Sequence, residues 1–201
     1  MIDVAGLMAH LPGPDFPTGG ILLGRDGIAT AYATGRGRVW LRGRAHFESV
    51  PRGRQALVVT QLPYGVMKGG TGGFVAQVAE LVRHSQISGI ADLEDDSSPD
   101  KGMRVVITLT SDAEPTDLLH QLHARSPLQT SFLMKLVAVV DGAPRTLTLK
   151  DAIARWVEHR RAVLAGRAAA ATAGPVDRVL EQELRAVAAR FGDARRTEIR
   201  A

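Results

Sequence analysis

The chain has no cysteine among its 201 residues, and its aromatic residues amount to only 4%. Without cysteine there are no disulfides and no thiolate metal sites, which suits a reducing compartment. No stretch approaches the ~18 consecutive apolar residues of a membrane span. The N-terminal MIDVAGLMAHL is acidic and too short for a signal peptide, so a cytoplasmic protein is expected. Activated nucleophiles are missing too. The chain has no Gly-x-Ser-x-Gly, and neither Tyr32 nor Tyr64 has the Arg-Tyr-His setting that would activate a phenol. What remains is 45% apolar and 23% charged, with 21 glycines, which is the balance of a globular chain. A net charge of +4 argues only weakly for a polyanionic partner, so the placement of the arginines matters more.

Periodicity predicts the elements. Val4 to His10 reads as a short helix capped by Asp3 and stopped by Pro12 and Pro14. The stretch GPDFPTGGILLG, residues 13–24, reads as a constrained loop presenting Ile21, Leu22 and Leu23. Ile28 to Thr34 predicts a helical turn ending at Gly35, then Arg36 to Glu48 pairs with Gln55 to Leu62 about a turn at Val50 to Gly53. A helix is expected over Phe74 to His84, an extended start over Ile87 to Ile90, an acidic loop over Asp92 to Asp100 and a strand over Met103 to Thr110. A helix from about Pro115 precedes a second hairpin, Phe132 to Val140 with Thr146 to Leu149. This order predicts an α+β class: a two-layer arrangement with a mixed or antiparallel sheet and flanking helices. Two amphipathic helices, Asp151 to Ala165 and Val176 to Phe191, follow with a linker at 166–175 between them and a polar tail after them. The expected domains are residues 1–149 and 150–201.

Arg36, Arg38, Arg42 and Arg44 alternate along GRGRVWLRGRAH, with Trp40 in the same phase. A period of two puts them on one strand face, and a line of guanidiniums suits sequence-independent contact with a phosphate backbone. The competing reading is a solvated face with cross-strand glutamate partners. KGGTGG, residues 68–73, has its lysine before the glycines, the reverse of a nucleotide phosphate loop; it reads as a flexible loop whose Lys68 could touch a nucleic-acid phosphate. His120 and His123 share a helix face but have no evident third ligand, and the run from Asp92 to Asp100 lacks the glycine and terminal glutamate of a calcium loop. No metal site is expected. A metal-dependent hydrolase on Asp92, Glu94, Asp95 and Asp96 is the weakest of the readings.

Several stretches taken together resemble one family, the A subunit of bacterial type IIA DNA topoisomerases, either DNA gyrase or topoisomerase IV. They are LMAHLPGPDFPTGGILLGRDGI, AYATGRGRVWLRGRAHFE, VVTQLPYGV, VAELV, GIADLEDDSSPDKGMRVVI, SPLQTSF, LKDAIARWVEHRRAVL and FGDARRTEI, in family order. The resemblance implies the tower domain, which flanks a winged-helix domain and cradles a bent DNA segment. It also implies an isoleucine wedge between base pairs, matched here by Ile21, with Arg36, Arg38, Arg42, Arg44 and Lys68 facing the DNA backbone. An apolar wedge of this kind kinks a duplex at an unstacking cost of a few kcal/mol.

The sequence also departs from that family. The catalytic Arg-Tyr-His-Pro-His-Gly motif would lie upstream, so strand cleavage by this chain alone is not expected. The family's coiled-coil arm and dimerising gate, on the order of a hundred residues and the size of a small domain, are replaced by Ala168 to Gly174. The expectation is a non-catalytic DNA-binding and DNA-bending module that is monomeric and holds no cofactor. Mg²⁺ and ATP would belong to the partner B subunit. The alternative is a structural or interaction module, a truncated paralogue or engineered fragment that binds topoisomerase subunits rather than DNA.

Overall fold

Asp3 begins the folded chain as expected: its carboxylate accepts the Gly6 N–H at 2.8 Å and caps helix α1 (Val4–His10). The computed structural model describes residues 2–171, 178, 180–186 and 198–200. A three-residue strand, β1 (Ile21–Leu23), precedes helix α2 (Asp26–Thr34), so the last part of GPDFPTGGILLG is strand rather than loop. Strands β2 (Arg36–Arg42) and β3 (Arg44–Val50) follow, and a turn of 3₁₀ helix at Pro51–Gly53 leads into β4 (Arg54–Gln61).

The single strand expected over Arg36 to Glu48 is two strands in different sheets. The break falls at Gly43, where a Cβ would lie 2.6 Å from the Gln61 carbonyl oxygen and 2.6 Å from Leu128 Cδ1. A side chain has no room there, and the Gly43 N–H donates to the Leu128 carbonyl at 2.8 Å.

Helix α3 (Phe74–Arg83), edge strand β5 (Ile90–Asp95), β6 (Val105–Leu109) and helix α4 (Pro115–Arg125) come next. The acidic segment is therefore partly strand: Ile90 and Leu93 are half-buried while Asp92, Glu94 and Asp95 face water. Charges on an exposed edge discourage pairing with further strands. After β7 (Gln129–Lys135), the second hairpin is β8 (Val137–Val140) with β9 (Ala143–Thr146), turning at Asp141 and Gly142. Both turn residues have positive φ, 52° and 77°, as a two-residue hairpin turn requires.

Helix α5 (Leu149–Ala171) runs through the first part of the expected linker, and 172–177 lie outside the described residues. Residue 178 and residues 180–186 are helical, and the remainder of the expected second helix lies outside the described residues. Part of the expected polar tail is strand β10 (Glu198–Arg200), parallel to β1.

The class is α+β with mainly antiparallel sheets, ordered β10-β1-β2-β7, β3-β4-β6-β5 and β8-β9. The chain divides into two units, a division that differs from the expected boundary at residue 150. One comprises residues 1–14, 25–38 and 133–195, where α2 packs with α1 and α5. The other comprises 15–24, 39–132 and 196–201, and its core is a sheet covered by helices. There Leu57, Val59, Val105 and Ile107 of the strands meet Phe74 and Val78 of α3 and Leu118 and Leu122 of α4. This is a two-layer arrangement.

Candidate nucleic-acid interface

Gly35 ends α2 in the left-handed conformation, φ 77°, so β2 starts at Arg36 and its phase is set by the cap. The strand alternates as its sequence predicts. Arg36, Arg38 and Trp40 are exposed, Gly37, Val39 and Leu41 are buried, and Arg42 is half-buried. Among the described residues neither Arg36 nor Arg38 has a carboxylate partner, so the cross-strand glutamates of the competing reading are absent from them. Arg42 donates its Nε–H to Gln129 Oε1, and Arg44 donates to Gln61 Oε1 at 3.4 Å. The neutral Gln129 oxygen orients the Arg42 guanidinium without cancelling its charge.

Arg44 does not share a sheet face with the other three. It opens β3 in the second sheet, beyond the break at Gly43. Gln61 also accepts the Gly20 N–H at 2.7 Å, so one glutamine ties Arg44 to the end of the GPDFPTGG segment. That segment is further anchored by Phe16, whose ring centroid lies 5.3 Å from Phe132 and 5.5 Å from Tyr64.

Ile21 lies opposite Arg42 on one side and Glu198 on the other, with 8% of its surface exposed. Its register places it on the same face as the arginine, while Leu22 turns to the core with 0% exposed. The side chain is covered rather than presented.

Lys68 is engaged as well: its Nζ lies 2.8 Å from Asp95 Oδ2 and 3.0 Å from Oδ1. The backbone around it is also occupied, because the Phe74 and Val75 N–H groups donate to the Met67 and Lys68 carbonyls. KGGTGG therefore turns onto the start of α3 and does not cradle a phosphate with those two amides. The Asp95 carboxyl is held below the usual range by its bonds to Lys68 and Ser97.

Among the described residues an ionic cluster gathers around Arg104, beside the second sheet. Arg104 binds Glu48 through two bonds of 2.8 and 2.6 Å and reaches Asp96 at 3.2 Å, and Lys101 also holds Asp96 at 3.0 Å. Arg104 first, then His46, lower the Glu48 carboxyl to about 2. Burial, helped by Arg42 and His120, lowers His123 to about 4 and leaves it neutral at physiological pH. No cluster of three or more His, Asp or Glu able to hold a metal occurs among the described residues. Of the tyrosines, Tyr64 is exposed, whereas Tyr32 is buried and its phenol is pushed up to about 12 by burial. A group so hard to ionise is a poor nucleophile.

Compared with known proteins, the chain matches the pattern of the DNA gyrase/topoisomerase IV A subunits over residues 1–186. It belongs to that family. The A subunit of DNA gyrase from Staphylococcus aureus strain MRSA252 is 43% identical over 166 residues, 83% of this chain, and that of strain NCTC 8325 matches to the same extent. The chain spans 18% of the length of these curated relatives. In this member of the gyrase/topoisomerase IV family, Gln61 lies on the strand that the sequence already pairs with Arg36 to Glu48, whereas two contributors to the arginine surroundings were not visible from sequence: Gln129 and Lys135. Both lie on β7, remote in sequence from β2, and only the pairing of β7 with β2 could have revealed them.

Proposed function

We propose that this chain is a non-catalytic DNA-gripping module from the A subunit of a type IIA topoisomerase. The observation that carries the reading is β2, whose outward positions are Arg36, Arg38 and Trp40 and whose two exposed arginines have no acidic partner among the described residues. Arg42 and Arg44, oriented by glutamines, extend the basic set. Guanidiniums aligned along a strand match sequence-independent phosphate contact. Lys68 joins them only by leaving Asp95, a step of modest cost because exposed ion pairs contribute about 0–1 kcal/mol.

Bending is the finer part of the proposal. Burial of Ile21 within β1 weighs against its acting as a wedge, since insertion would require the side chain to leave its packing. The grip is therefore assigned to the cations, and bending to the path the duplex takes along them. In a complete enzyme the tyrosine of a winged-helix domain, and Mg²⁺ and ATP on the B subunit, would supply the chemistry.

Fluorescence anisotropy with a labelled duplex in low salt tests the grip. Arg36→Ala and Arg38→Ala should each weaken binding, and absence of binding by the unaltered chain would overturn the proposal in favour of a module that binds topoisomerase subunits. Ile21→Ala tests the wedge by a different readout. It should cost about 2–5 kcal/mol of stability, as large-to-small core changes do, and leave the bend measured by end-to-end energy transfer unchanged. A smaller bend at unchanged stability would restore the wedge.

A further inference from the structure

At the start of β2 the Leu136 N–H donates to the Gly35 carbonyl at 2.8 Å, and β7 is the strand hydrogen-bonded beside β2. Pairing Gly35 with Leu136 in an antiparallel ladder sets Arg36 opposite Lys135 and Arg38 opposite Leu133. Directly opposite residues share a sheet face. The burial alternation agrees: Leu133 and Lys135 are exposed and Met134 between them is buried, as Arg36 and Arg38 are exposed about Gly37. Neither Arg36 nor Lys135 has a carboxylate partner among the described residues.

Like charges placed directly across a ladder repel and destabilise the pair. The same arrangement favours a phosphate, which relieves the repulsion as it binds and releases condensed counterions from the nucleic acid. We propose that Arg36 and Lys135 form a two-cation clamp for one backbone phosphate of duplex DNA, with Arg38 next along the strand for its neighbour. The proposal rests on the DNA-gripping reading above and adds Lys135, which no sequence pattern singled out. Lys135 stands at the end of β7, so the clamp widens a line of charge on one strand into a surface two strands across.

The clamp predicts opposite effects of one substitution on two properties. Lys135→Gln should relieve repulsion in the free chain and raise its thermal midpoint by about 1–4 °C. The same variant should bind duplex DNA about 2–5-fold less tightly, with the slope of log K against log salt near its starting value, because Arg36 still neutralises the shared phosphate. Lys135→Arg should keep both properties near their starting values.

If the unaltered chain binds no duplex, the DNA-gripping reading fails and the clamp with it. If it binds but Lys135→Gln leaves affinity unchanged, or makes the slope smaller by about 0.9 as loss of a separate phosphate contact would, the clamp alone is wrong. If Lys135→Gln lowers stability and affinity together, Lys135 supports the fold and the clamp is likewise overturned.

Discussion

Tyr32 buries a hydroxyl that finds no hydrogen-bond partner among the described residues. A buried donor left without a partner costs about 1–3 kcal/mol, so Tyr32→Phe should stabilise the fold by about 1 kcal/mol. An upward shift of the urea midpoint at constant m-value is the expected result. Glu48 makes the complementary case, a carboxylate held in its charged form. Its folded-state value of about 2 lies below its ordinary 4.5, mainly through Arg104. Because the folded value is the lower one, the contribution is complete above about pH 4.5 and is lost as pH falls through about 2. Arg104→Met should flatten the part of the stability-against-pH curve between those values that Glu48 contributes. Denaturant midpoints measured across that range for both proteins would show it.

At the level of elements, two glycines with the same φ of 77° make a controlled comparison. Gly142 sits in the β8–β9 turn, where an added Cβ would meet nothing within 4 Å. Gly142→Ala should then carry only the left-handed backbone penalty of about 1–2 kcal/mol. At Gly35 the added Cβ would lie 2.4 Å from the Leu147 carbonyl oxygen and 2.6 Å from Thr146 Cγ2. Gly35→Ala should cost several kcal/mol more and disturb the α2–β2 junction, which paired urea titrations would measure. Local signals made such elements legible in the sequence: Asp3 as a cap, the alternation of β2, and Pro115 at the head of α4. Long-range pairing stayed hidden. Nothing local in Ile21–Leu23 says that it is a strand, because its partners lie about Arg42 and Glu198. Lys68 could be named as a cation but not as one already held by Asp95, some 27 positions away.

For the whole molecule, a net charge of +4 conceals how that charge is used. Arg104 and Lys101 are consumed by Glu48 and Asp96, whereas Arg36, Arg38 and Lys135 have no acidic partner among the described residues. Affinity for DNA should therefore follow a few cations rather than the total. If Arg36, Arg38, Arg42 and Arg44 each meet one phosphate, log K should fall against log salt with a slope of about −3.6, at roughly 0.9 per contact. Adding Lys135 beside Arg36 leaves that estimate unchanged if the two share a phosphate, and steepens it if they do not. A titration over salt from 50 to 200 mM would give the slope. Substituting Lys101 by glutamine, which also changes net charge by one, should leave it unaltered.

The corner at Gly43 has an evolutionary consequence. Insertions in the β3–β4 hairpin occur after the chain has changed sheets, so they leave the orientation of Arg36, Arg38 and Arg42 untouched. One residue inserted between Gly35 and Gly43 would instead turn downstream positions of β2 over, sending charge toward the interior and Val39 or Leu41 toward solvent. Length variation among relatives should accordingly be tolerated around Val50 to Arg54 and purged from the eight positions that follow Gly35.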